Sequence, residues 1–284
     1  MMFARVAILG VGLLGGSLGL EIKRLRLAKE IVGCGRSKKN LRVALRRRAI
    51  DAATNDPLKA VMGADLVILA APVGTIISHL KSIGPHLKAG ALVMDVGSTK
   101  EEILKASKSL PRSVGFVGAH PIAGTENAGA ASAVAGLFRG KKCLLTSRRG
   151  TDRRYVNRAT AFWKKLGSQV SFVPASSHDR ALGVVSHLPH LAAYALMATI
   201  RGELPEKKIR SLAGGGLMDT TRIAASPAEM WTDIALSNRR NLLKILGSFS
   251  RQISRIERFI AGKKRGELLR FLQRQSRLRS RLSS

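Results

Sequence analysis

With 284 residues, 45% of them hydrophobic, the chain can form one or two domains around a sizeable buried core. Forty-nine basic residues against 18 acidic give a net charge of +31, which invites a polyanion partner. The basic residues are spread along the chain, however, aromatics are only 4%, and neither a zinc-finger spacing nor an aromatic RNA-binding signature occurs, so weak, salt-sensitive association is expected rather than specific nucleic-acid binding.

The chain begins at once on an apolar strand, "RVAILGVG", so no signal peptide is expected ahead of the fold. The longest apolar run, 6–20, is too short and too glycine-rich to span a bilayer, so no membrane partner is expected. "RVAILGVGLLGGSLGLEIKRL" reads as strand, glycine turn and amphipathic helix. "EIVGCGRS" is a second strand and "SKKNLRVALRRRAI" a helix. "ADLVILAAP" (64–72) is a continuous apolar run closed by proline, as a buried parallel strand would be. "ALVMDVGSTKEEILKAS" follows as strand, loop and helix, "GFVGAHP" and "KKCLLTS" as further strands, and 151–167 as a helix. Strands alternating with helices predict a parallel, doubly wound sheet. After about residue 175 the strand-like runs stop. Helical periodicity takes over, with Pro189 and Pro227 where helices would begin. The fold expected is an α/β Rossmann-type dinucleotide-binding domain over 1–173 followed by an all-α domain over 174–284. From Arg251 to Ser284 there are eleven basic and two acidic residues, read as a solvated helix face. Cys34 and Cys143 lie far apart in sequence; they suggest neither a disulfide framework nor a metal site, and fit a reducing cytoplasm.

"GVGLLG" places Gly10, Gly12 and Gly15 between a strand and a helix, the context in which this spacing binds a dinucleotide. Gly10 permits a tight turn, Gly12 lets the backbone approach a pyrophosphate, and Gly15 lets helix pack on strand, with the helix N-terminus facing the phosphates. Leu13 and Leu14 within the turn, and Ala71 and Pro72 after the buried strand, complete the candidate cofactor-binding residues on this side. About twenty residues on, where a carboxylate would hold the ribose 2′-hydroxyl of NAD, stands Gly35, followed by Arg36, Ser37 and Lys38. A guanidinium and a hydroxyl with no carboxylate beside them can hold a 2′-phosphate, so NADP is favoured over NAD.

"GFVGAHPIAGTEN" brings His120 to the end of a buried strand. On its own that histidine could be a core residue. Together with "GVGLLGGSL", "DVGSTK", "SHLPH" and "DTTRIAASPAEMW", in order from about residue 5 to 281, it gives the chain a resemblance to the prephenate/arogenate dehydrogenases of tyrosine biosynthesis, in their monofunctional form. The resemblance implies an oxidative decarboxylation: a hydride passes from a cyclohexadienol ring to NAD(P)⁺, CO₂ leaves, and the ring becomes aromatic. It implies that His120 accepts a hydrogen bond from the ring hydroxyl and that Ser98 orients that histidine. It implies that Arg222 anchors a substrate carboxylate, that His190 and Ser186 lie in the substrate pocket, and that Thr125 and Glu126 stand at its entrance. It also implies a homodimer through the helical domain.

The physics fits those roles. Hydride loss leaves positive charge on a carbon bearing a hydroxyl, so a neutral imidazole should take the proton, and a basic surrounding keeps it neutral. Bidentate arginine suits a carboxylate. His187 and His190 share a helix face, but no third ligand accompanies them and no metal is expected. Ser98 also has the pattern of a helix cap, with Glu101 three residues on, and could serve both purposes. Lys100 is read as a solvated helix residue and Trp231 as core. Where the family often has a basic residue just before the aspartate of the "TRIA" run, this chain has Met218. The competing expectations are another two-domain dehydrogenase acting on a hydroxy acid or an imine, and, further off, a nucleic-acid-binding protein on a dehydrogenase fold.

Overall fold

The computed structural model describes residues 1–123 and 129–282. Apolar β-branched and leucine-rich runs form the strands β1 (Phe3–Leu9), β2 (Ala28–Cys34), β3 (Ala52–Thr54), β4 (Leu66–Leu69), β5 (Leu92–Asp95), β6 (Gly115–Pro121), β7 (Lys142–Thr146) and β8 (Gln169–Phe172). They make one sheet in the order β3-β2-β1-β4-β5-β6-β7-β8. The order reverses between β1 and β4, which is where a doubly wound sheet opens a crevice at its carboxyl edge.

Both faces of the sheet are covered. Val6, Ile8, Leu66, Ile68, Leu92, Met94 and Val117 face α1 (Leu13–Arg24) and later α6 (Arg153–Lys165), in a core that includes Leu18, Ile22, Phe162 and Trp163. Their alternates Ala7, Leu9, Val67, Leu69, Val93 and Phe116 face the opposite way. There they pack with α3 (Pro57–Val61), α4 (Val73–Ser82) and α5 (Glu101–Ala106), through Val61, Ile76, Leu80 and Ile103. Fully burying each such side chain contributes about 1.5–3 kcal/mol, before the entropy of ordering the chain is set against it.

One pair departs from the parallel sheet expected. β6 and β7 run antiparallel, with His120 opposite Leu144. A parallel pair needs a crossover, usually a helix. Among the described residues, the connection from 122 to 141 carries only a 3₁₀ turn at Ala130–Ser132. That connection is instead fastened to α1 and to α2 (Lys38–Arg46). Ala130 N–H donates to Asn40 Oδ1 at 2.7 Å, Val134 N–H to Ser17 Oγ at 2.9 Å, and Gly136 N–H to Glu21 Oε2 at 2.9 Å. Asn40 in turn donates to the carbonyl of Val11 in the glycine turn, at 2.6 Å.

After β8 the chain is helical: α7 (Ala175–Leu182), a π turn at Gly183–His187, α8 (Leu188–Glu203), α9 (Glu206–Leu212), α10 (Gly215–Thr221), a 3₁₀ turn at Arg222–Ala225 and α11 (Ala228–Ser237). Pro227 starts α11 as expected. Pro189 lies in the first turn of α8 as expected, although α7, the π turn and α8 form one continuous run over 175–203. Proline lacks an N–H and crowds the preceding turn, and the wider π turn makes room for it. By length and composition this run could cross a membrane. Near its start, buried His178 is bonded to His120 on β6 and buried Asp179 to the backbone at the start of α5.

The chain divides into two compact units, Met1–Asn238 and Arg239–Ser284. The second holds α12 (Arg239–Ala261) and α13 (Arg265–Arg281). Within it the Arg255 guanidinium lies over the rings of Phe259 and Phe271, at 5.4 Å from each centroid. Among its described residues α13 buries none, in keeping with a solvated basic face.

Candidate active site

The glycine turn follows β1 directly. Gly10 has φ +102°, and a Cβ there would lie 2.3 Å from the carbonyl oxygen of Ala70 at the end of β4. A Cβ on Gly15 would lie 2.0 Å from Gly10 O, so helix and turn touch through backbone. Gly12 is different: a Cβ there would meet nothing within 4 Å. It is the N-cap of α1, and no side chain caps the helix. Open space before uncapped N–H groups, at the switch point of the sheet, fits the pyrophosphate of a dinucleotide. Leu13 and Leu14 open α1, while Ala71 and Pro72 are half-buried beside the turn at the end of β4.

At the end of β2, Gly35 has no positive φ, and a Cβ there would make ordinary contact with Leu41 Cδ2 at 3.4 Å, so a side chain would fit. Arg36 is 84% exposed and lies 3.6 Å from Glu229 Oε1. Ser37 caps α2, its Oγ accepting from Asn40 N–H at 3.2 Å, and Lys38 is exposed.

His120 sits three strands from β1 at the same edge, roughly 14 Å away by strand spacing. It shares a sheet face with Phe116 and Gly118 by the two-residue alternation of β6. Gly118 leaves room beneath it: a Cβ there would lie 2.5 Å from Thr146 Oγ1, 3.2 Å from Asp95 Oδ1 and 3.3 Å from Lys100 Cδ. Lys100, expected in solvent, is fully buried and ion-paired with buried Asp95. The glycine-lined space beneath His120 admits its stem, and the Asp95 carboxylate compensates its charge. Burial raises the Asp95 carboxyl above its ordinary value, against the opposing pull of Lys100 and of Gly97 N–H at 2.8 Å.

His120 Nδ1 lies 2.8 Å from His178 Nε2, and His178 Nδ1 lies 2.8 Å from Asp179 Oδ1. Asp179 also accepts the first N–H groups of the α5 region, from Lys100 at 2.7 Å and Glu101 at 2.9 Å. The cap expected from Ser98 is therefore supplied by Asp179, 79 residues beyond Lys100, because a carboxylate can take two N–H groups at once. Ser98 is half-buried, and its hydroxyl makes no hydrogen bond among the described residues, so the partner of His120 Nδ1 is His178 rather than Ser98. Burial first, then the charges of His178, Lys100 and His187, hold His120 well below the ordinary histidine value. These causes favour the uncharged imidazole.

The helical segments add a second group. His190 stacks on Trp231 with centroids 3.7 Å apart, and its Nδ1–H donates to the carbonyl of Ser186 at 3.0 Å. Trp231 is buried, as expected, but is also the platform for this histidine. Burial and the charge of exposed Arg222 lower His190, against the Ser186 bond. The structure thus brings Arg222, His190 and Ser186 together. His187 turns inward to Asn238, Nδ1 at 3.0 Å from Nδ2, and burial pushes it down to about 4. Asn238 also donates to the carbonyl of Asp179 at 2.8 Å. Thr125 and Glu126 lie outside the described residues. Among the described residues no cluster of His, Cys, Asp and Glu could hold a metal ion.

The sequence reading passed over His178, Asp179 and Asn238. Their one signal is the adjacent "HD" in a helix otherwise free of reason for it, and the break in helical pattern at "SN".

A turn open to a dinucleotide at the switch point, with a neutral base along the same edge, is what hydride transfer to a nicotinamide requires; these features define a dehydrogenase. Comparison narrows the class. Residues 18–172 match the family model "Prephenate dehydrogenase, nucleotide-binding domain", and 174–274 match "Prephenate dehydrogenase, dimerization domain". The chain is 32% identical to the cyclohexadienyl dehydrogenase of Zymomonas mobilis over 99% of this chain and 97% of that one. It is 33% identical to the prephenate dehydrogenase of Bacillus subtilis over 94% and 73%. Its fold superposes on prephenate dehydrogenase from A. aeolicus in complex with hydroxyphenyl propionate and NAD⁺ with a TM-score of 0.91, at 31% identity and 99% coverage of both chains. For the arogenate dehydrogenase of Synechocystis the TM-score is 0.79, at 30% identity and 98% and 99% coverage. The chain belongs to the prephenate dehydrogenase family.

Proposed function

We propose that the chain catalyses the oxidative decarboxylation of prephenate, or of its amino counterpart arogenate, to 4-hydroxyphenylpyruvate or tyrosine, with hydride transfer to a nicotinamide cofactor. The observation that carries the reading is the position of half-buried His120, at the sheet edge that also holds the glycine turn, in surroundings that favour its uncharged form. The cofactor supplies the hydride acceptor; Gly10, Gly12, Leu13, Leu14 and Gly15 would hold its phosphates, with Ala71 and Pro72 beside them. As the hydride leaves the ring carbon, the hydroxyl on that carbon becomes carbonyl-like and passes its proton to His120. The electrons of the ring–carboxylate bond then aromatise the ring as CO₂ departs, and the oxygen takes the proton back. Arg222 anchors a substrate carboxylate, with His190 and Ser186 beside it. Ser98 orients the substrate hydroxyl toward His120, and the entrance roles of Thr125 and Glu126 fall on residues outside those described.

NADP is the favoured cofactor, since Gly35 offers no carboxylate and Arg36, Ser37 and Lys38 offer cations and a hydroxyl. The division of labour we propose gives 1–173 to the cofactor and 174–284 to substrate and dimerisation, supported by family models that cover 18–172 and 174–274. A homodimer forms through the helical part, supported by exposed apolar side chains such as Val185, Leu196, Leu212 and Leu236 on its helices. The enzyme works in the cytoplasm, in keeping with the buried free thiols of Cys34 and Cys143.

The test is purified protein with prephenate or arogenate and NAD or NADP, followed by absorbance of the reduced nicotinamide. Turnover is expected with at least one substrate, fastest with NADP. His120→Asn should lower kcat by roughly 10²–10⁴-fold while substrate and cofactor still bind, because the imidazole acts on charge that develops in the transition state. A variant with near-normal kcat removes His120 from the mechanism.

A further inference from the structure

His178 and Asp179 have no role in the reading above, yet His178 is bonded to its base and Asp179 to His178. The hydrogens between them can be placed by counting donors. Asp179 receives N–H from Lys100 and Glu101, which only donate, and a carboxylate only accepts. The 2.8 Å contact between Asp179 Oδ1 and His178 Nδ1 therefore needs the hydrogen on His178 Nδ1. Taken with that single ring hydrogen, His178 presents a lone pair at Nε2. The 2.8 Å contact from that nitrogen to His120 Nδ1 then requires His120 to donate. With its hydrogen on Nδ1, His120 has its lone pair on Nε2.

We infer that His178, oriented by Asp179, is a positioning residue that fixes the tautomer of His120 and so reserves Nε2 as the base. The inference rests on the reading of His120 as the proton acceptor and adds to it the group that makes the acceptor available. Asp179 pins His178 and at the same time ties the helix to the backbone of the loop before α5. Asn238, at the end of α11, holds the Asp179 carbonyl from the other side. The histidine on the sheet is thus set by a side chain from the helical segment that follows it. Which of two ring nitrogens carries the hydrogen is decided by the bond the other makes, and a base with its hydrogen on the reacting nitrogen is no base.

The measurement is the position of that hydrogen. A long-range ¹H–¹⁵N spectrum of the full chain with ¹⁵N-labelled histidine, above pH 7, distinguishes the two nitrogens, and the His120 signals are identified by their loss in His120→Asn. The wild type should show His120 protonated at Nδ1. In His178→Phe, which offers no acceptor, the hydrogen should move to Nε2. kcat should then fall by at least roughly 10²-fold, with both KM values within about threefold. His178→Gln, whose side-chain oxygen can accept from Nδ1–H, should restore the wild-type tautomer and recover about tenfold or more of the lost kcat. A wild-type His120 protonated at Nε2 overturns the inference, and so does a His178→Phe variant that loses kcat while keeping the tautomer. If that variant does not fold, the wild-type spectrum decides alone. The spectrum needs no substrate, so absence of turnover with every substrate sinks the proposed function and leaves this result standing by itself.

Discussion

The two ends of the proposed active site are built on opposite plans. The glycine turn is contiguous: six residues, 10–15, shape it with backbone alone, and its demands are for the absence of side chains. The histidine cluster draws Asp95, Lys100, His120, His178, Asp179, His187 and Asn238 from six separate segments, and its demands are for particular polar atoms. A site of the first kind fails by steric intrusion, with little dependence on pH. A site of the second kind fails by leaving a buried polar group without its partner, which is costlier and sensitive to protons.

The largest effect expected from that contrast is at Lys100. Lys100→Met keeps most of the volume but leaves Asp95 buried without its cation, and should cost about 3–5 kcal/mol of unfolding free energy in urea. A loss below about 1 kcal/mol would mean that the pair is not the buried unit described. The next effect is the response to acid. Burial is the first cause holding His79, His120, His187 and His190 below the ordinary value of 6.5. The unfolded chain takes up protons that the folded chain refuses, so stability is fully present above about pH 6.5 and is lost as pH falls. For His187 the window runs down to about 4 and the loss reaches about 3 kcal/mol. His187→Gln should flatten that part of the stability–pH curve; an unchanged slope would remove His187 from it.

In the glycine turn, two substitutions should separate shape from binding. Gly15→Ala places a Cβ 2.0 Å from Gly10 O and should destabilise by about 1–3 kcal/mol through overpacking. Gly12→Ala meets nothing, so its melting temperature should stay near that of the wild type while its cofactor affinity falls, because the methyl occupies the space kept for the ligand. Equal losses of stability in the two variants would break the distinction. The smallest effect is in selectivity. Gly35→Asp should move the ratio of kcat/KM from NADP toward NAD through cofactor KM, with stability nearly unchanged because the new Cβ makes ordinary contact with Leu41. A wild type that already prefers NAD would leave Arg36 to its surface pair with Glu229.

The same contrast explains what could be read from the sequence. Gly10, Gly12 and Gly15 announce themselves because turn, strand and helix are neighbours in the chain, and hydrophobic periodicity places them. Lys100 reads as a surface residue because its counter-charge, Asp95, sits across a turn through Gly97, and the space that admits its stem is left by Gly118 on a later strand. Ser98 reads as a cap because Glu101 has the right spacing, yet the N–H groups are taken by Asp179, whose proximity is a product of tertiary packing. The antiparallel β7 was hidden for a similar reason. A strand's apolar run says that it is buried, and says nothing of its direction. His178 could be seen as a histidine but not as a partner of His120, since 58 residues separate them.

The fastening of residues 130–136 to α1 and α2 decides how relatives could exchange parts. Asn40 Oδ1, Ser17 Oγ and Glu21 Oε2 each receive a backbone N–H from that connection, and a Cβ on Gly16 would lie 2.8 Å from Ala133 Cβ. A recombination crossover placed anywhere between residues 50 and 129 therefore splits one interlocked module between two parents. A chimera that moves 1–50 together with 129–138 keeps the module whole, and the cofactor end of the site can then be swapped without disturbing the strand that carries His120.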